Sequence, residues 1–79
     1  MLIKSAKIHN DLVLELMNNL FEVTDGPNSS AMVIIESIAV RIILLCAKEN
    51  GINPKQLLQA FVEGVRQRVM SENVNRLNS

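Results

Sequence analysis

The sequence predicts an all-α fold of three helices, completed by a second copy as an intertwined or face-to-face homodimeric helical bundle. Three observations predict it. Apolar residues recur at helical spacing in three segments, and two turn signatures separate those segments. The middle segment, Ala31 to Ala47, is apolar at 14 of 17 positions and is interrupted by Glu36, Ser37 and Arg41. A helix that apolar must be covered on nearly every side. Finally, a chain of 79 residues is small enough to need a disulfide, a metal or a partner to hold it. A single cysteine, Cys46, excludes an internal disulfide, and a single histidine, His9, leaves no usual set of zinc ligands. Association is the remaining device. Residues 1–79 read as one helical domain.

The first helix is expected over about 5–23. At ~100° per residue, Ala6, Leu12, Val13, Leu16, Met17, Leu20 and Val23 share a broad face. Lys7, Asp11, Glu15, Asn18 and Glu22 share the opposite one. Asp25-Gly26-Pro27 ends it, glycine taking the left-handed position and proline refusing continuation.

The second helix is expected over about 30–49, with a serine of Asn28-Ser29-Ser30 capping its free N–H groups. Ser30, Ser37, Arg41 and Lys48 form a polar stripe roughly 40° wide. Opposite that stripe, Met32, Ala39 and Cys46 recur every seventh residue, with Ile35 and Ile42 between them. Small residues at 39 and 46 permit close approach, so these five predict the dimer seam.

The third helix is expected over about 54–70. Gly51 suits a helix end, Ile52 folds back on it, Asn53 caps and Pro54 takes the first position. Gln56, three after the cap, resembles the second half of a capping box. Leu57, Leu58, Phe61, Val62, Val65 and Val69 share a face, flanked by Ala60 and Gly64. Gly64 costs about 1 kcal/mol against alanine within a helix, which predicts a neighbouring backbone using its space. Beyond Met70 the periodicity fades, and 71–79 are expected to fray.

Charge bounds the partners. Eight basic residues balance eight acidic ones, so the broad positive field of a nonspecific nucleic-acid binder is missing. The distribution is uneven: residues 1–27 carry a net −2 and residues 54–79 a net +2. The acidic face Asp11, Glu15, Asn18, Glu22 is a candidate docking surface for a basic partner. Glu36 and Arg68 each interrupt an apolar arc. Burying either alone costs several kcal/mol, which predicts an ion pair within the chain or across the dimer, unless both reach water at the core's edge.

No chemistry is announced. His9 has no metal-binding or catalytic companion, and Cys46 reads as a small core residue. Glu36 lacks a second acid or base at suitable spacing, and three scattered glycines make no phosphate loop. Two aromatics, Phe21 and Phe61, are too few for base stacking. The sequence thus implies no enzyme, no cofactor and no small-molecule substrate.

The N-terminus shows no signal peptide, the apolar stretch is short of ~20 residues, and a free thiol suits a reducing compartment. These points predict a cytoplasmic protein and no membrane span.

The function predicted is a small regulator, adaptor or inhibitor that binds itself and occludes a protein partner, of the plain accessory kind common in phages and mobile elements. The alternative rests on Ala47, Gly51, Ile52 and Leu57, whose spacing looks like the core of a helix-turn-helix. Lys55, Gln56, Gln59 and Arg66 would then meet DNA. A long apolar preceding helix, Glu63 on the would-be recognition face and zero net charge weigh against it.

Overall fold

The computed structural model describes residues 5–78. They form α1 (Ala6–Thr24), α2 (Ser29–Asn50) and α3 (Pro54–Asn78), with no strand among them. The chain makes two compact units, Met1–Ile38 and Ala39–Ser79. In the first, α1 meets the leading half of α2; in the second, the trailing half of α2 meets α3.

Ser5 starts α1: its side chain accepts from the Ile8 N–H at 3.2 Å, satisfying one of the free donors at a helix start. The turn into α2 departs from expectation in two ways. Asp25, not Gly26, takes the left-handed conformation (φ 62°), and Gly26 follows at φ 116°. The Gly26 N–H then closes onto the Phe21 carbonyl at 3.0 Å, the wrap-around bond of a Schellman ending. Aspartate is among the few side chains that tolerate this backbone.

The α2 cap is Asn28 rather than a serine. Its Oδ1 accepts from the Ala31 N–H at 3.1 Å, and its Nδ2 donates to the Thr24 carbonyl at 2.7 Å. One side chain therefore satisfies the start of α2 and the end of α1 together. A serine is too short to span both.

The second turn follows the sequence reading closely. Gly51 is left-handed (φ 63°), and the Ile52 N–H donates to the Ala47 carbonyl at 3.0 Å. Asn53 Oδ1 accepts from the Lys55 N–H at 2.9 Å, and its carbonyl takes the N–H groups of Gln56 and Leu57.

α3 continues to Asn78, past the expected end near residue 70. Loss of apolar periodicity removes a packing face, but backbone hydrogen bonds need no such face. Ser71 to Asn78 contains no glycine or proline to stop them. Residue 79 and the side chains of 74–78 lie outside the described residues.

The packing is sparse. Among the described residues the buried ones are Ala31 in the first unit and Ala47 in the second. Each sits where α2 meets its neighbour, and alanine there lets the two backbones approach. Leu20, Phe21 and Ile34 in the first unit, and Ile43, Leu57 and Gly64 in the second, are half-buried. No atom of the described residues lies within 4 Å of where a Gly64 Cβ would stand, so the space beside it is open in the single chain.

Candidate interaction surface

What the helices leave uncovered is the dominant feature of the molecule. Among the described residues, 22 large apolar side chains are exposed. The chain presents 7189 Å² to solvent, against about 4,800 Å² for a folded monomer of its mass.

Of the five predicted seam residues, Met32, Ile35, Ile42 and Cys46 are exposed and Ala39 is half-buried. Cys46 is therefore not a core residue of the single chain. The five share a strip in which Met32, Ala39 and Cys46 recur every seventh residue, within a helix running from 29 to 50. In the first unit the strip borders an apolar groove of about 520 Å³ between the end of α1 and the start of α2, lined by Met17, Leu20, Phe21, Pro27, Met32 and Ile35 among others.

Glu36, in the first unit, and Arg68, in the second, are both exposed. Neither is buried within the chain, so neither carries the desolvation cost from which their pairing was predicted. That cost arises where an assembly covers them.

The acidic face of α1 lies open: Asp11, Glu15, Asn18 and Glu22 are all exposed. Asp11 is engaged by Lys7 Nζ at 2.9 Å, a surface pair worth little in energy that nonetheless dilutes the face. His9 is half-buried beside it in sequence. On α3, Lys55, Gln56, Gln59 and Arg66 are exposed as the helix-turn-helix alternative requires. Glu63 stands in their midst, 3.8 Å from an Arg66 Nη and accepting from Gln67 Nε2 at 3.2 Å.

The broad apolar face expected on α1 and on α3 is only partly covered. On α1, Leu12, Leu16 and Val23 are exposed beside the residues that pack on α2; Leu16 is 59% and Val23 81% accessible. On α3, Leu58, Val62, Val65 and Val69 form a second line, Val62 and Val69 at 54% and 59%. The signal was present in the spacing. Positions 58, 62, 65 and 69 step by four, three and four, the interval of a helix–helix seam, whereas the same interval on α1 passes through Leu12, Leu16 and Val23 and is broken by Asn19.

By length and composition α2 is one helix long and apolar enough to cross a membrane, with 11% of that stretch buried. A core helix awaiting its cover passes the same test, and Glu36 and Arg41 stand inside the stretch. Among the described residues no cluster of three His, Cys, Asp or Glu side chains could hold a metal ion. No protein-family model, curated protein or solved structure matches the chain.

Proposed function

We propose that the chain is a non-enzymatic helical interaction module that associates with itself and acts by occluding a protein partner, as a small regulator, adaptor or inhibitor. The observation that carries this reading is the 22 exposed large apolar side chains set against two buried alanines among the described residues. Exposed apolar area on this scale, contiguous along helices, is a property of interfaces. The area above the monomer expectation is about 2,400 Å² per chain. Covered in a pair, it makes an interface of about 4,800 Å², within the range of obligate dimers.

Size-exclusion light scattering at two concentrations tests the reading. The expected mass is that of two or more chains at both. Ala39→Arg, placing a charge at the centre of the α2 strip, should reduce it to 8.8 kDa. A folded monomer at every concentration rejects self-association, and an Ala39→Arg chain of unchanged mass rejects the α2 seam.

The buried Ala47 and the well-formed turn from Gly51 to Pro54 favour a second reading, a dimeric helix-turn-helix DNA binder. It requires binding that weakens steeply with salt and is lost on changing Gln56 and Gln59. A protein-occluding module keeps its partner when Gln56 and Gln59 are changed conservatively.

A further inference from the structure

We infer that α3 carries a self-complementary face, on which the α3 of a second copy lies antiparallel with Lys55 of each chain against the partner's Glu72. The inference rests on the proposed self-association and names a contact for it that lies wholly within the second unit, Ala39–Ser79.

The first ground is the spacing along α3. Lys55, Leu58, Val62, Val65, Val69 and Glu72 follow one another at steps of three, four, three, four and three, the a and d line of a heptad repeat. All six are exposed, while Leu57 and Gly64 on the neighbouring line are half-buried. The series reads the same from either end, and its midpoint falls between Glu63 and Gly64. A two-fold axis there sets Val62 against the partner's Val65, Leu58 against the partner's Val69 and Lys55 against the partner's Glu72. A seven-residue repeat drifts ~20° per heptad on a straight helix, so the two helices wrap left-handed to keep the line in contact. Residues 55–72 span fewer than three heptads, short for a coiled coil standing alone. The contact therefore adds to the association at the α2 strip and does not replace it.

The second ground is charge. Lys55 and Glu72 stand about 25 Å apart along one continuous helix, too far to pair with each other in a single chain. Among the described residues neither makes an ion pair. Lys55 also lies in the first turn of α3, where the helix dipole disfavours a cation and favours a carboxylate brought beside it. A parallel pairing in register opposes Lys55 to the partner's Lys55 and Glu72 to the partner's Glu72, whereas the antiparallel one joins opposite charges at both ends. The remaining charges leave that preference intact. Arg66 borders one edge of the stripe and Arg68 the other, and about the same axis they fall nearest the partner's Gln59 and the partner's Phe61. Glu63 lies ~130° round the helix from the stripe, with Arg66 at 3.8 Å. Arg68, one turn before Glu72, weakens each end pair without reversing its sign.

Charge exchange in the full chain tests the inference, read by sedimentation over a dilution series at low ionic strength, where exposed charges are least screened. Lys55→Glu alone and Glu72→Lys alone each set like charges together at both ends of the contact. Each should weaken association about tenfold. The chain carrying both substitutions has opposite charges at both ends again and should recover the strength of the unaltered chain. Recovery reports a contact between chains, because the two positions cannot meet within one helix. Both are exposed, so circular dichroism should show helicity retained in all three variants. Single variants that associate as the unaltered chain does overturn the α3 contact while leaving self-association standing. A double variant no stronger than the singles shows a charge effect without pairing and also overturns it. An unaltered chain that stays monomeric at every concentration overturns both the inference and the reading beneath it.

Discussion

Asp25 and Gly51 hold nearly the same left-handed backbone, φ 62° and 63°, at the ends of two successive helices. A Cβ in that conformation costs about 1–2 kcal/mol, so Gly51→Ala should destabilise the chain by about 1 kcal/mol. Gly64 lies within a helix with open space before it, so Gly64→Ala should stabilise by a similar amount, about 1 kcal/mol. Urea titrations at one fixed protein concentration check both, and opposite signs are the expected result. The three glycines show how unevenly single residues can be read. Gly51 was legible because Ile52, Asn53 and Pro54 wrote the rest of the turn around it. Gly26 yielded its expected place to Asp25 and follows it at φ 116°, because aspartate tolerates the left-handed region and the turn uses positive φ at two successive residues. Gly64 suggested a close neighbour, and among the described residues of the single chain none stands within 4 Å, because helix propensity reports the cost of a glycine and not what stands opposite.

Helix existence was plain in the 3.6-residue period of all three segments, while helix ends depended on which side chain reached which backbone group. Asn28 is the clearest case. It links α1 to α2 through Thr24 and Ala31, so Asn28→Ala should lower stability by about 1–2 kcal/mol. Ser30→Ala, at the serine the sequence also offered as a cap, should change it by no more than about 0.5 kcal/mol. Thermal melts of the two variants, again at matched concentration, separate the assignments. The end of α3 was missed for a different reason: amphipathic period signals a packed face, and a helix outlasts its face when no glycine or proline interrupts it. One broad apolar arc was read on α1 and on α3, and it resolves into a covered line and an uncovered one once the neighbour's position is known.

At the scale of the whole molecule, composition and spacing led to the expectation that α2 is not covered by its own chain, and among the described residues only Ala31 and Ala47 are buried. Composition and spacing could not name the cover, because an apolar strip is complementary to a second copy, another protein or a lipid in equal measure. Cys46 reports on the choice. It is exposed in the single chain and lies on the α2 strip, so its rate of labelling by a thiol reagent should fall as protein concentration rises through the association range. The melting temperature should climb over the same range, because association stabilises by mass action. A labelling rate independent of concentration would remove Cys46 from the interface. The two buried alanines therefore bear on dosage. If company supplies most of the free energy that keeps these helices folded, newly made chains below the association threshold stay open to proteases, and chains above it are protected. The cell would then hold either very little of this protein or an assembled pool, with abundance itself acting as the switch.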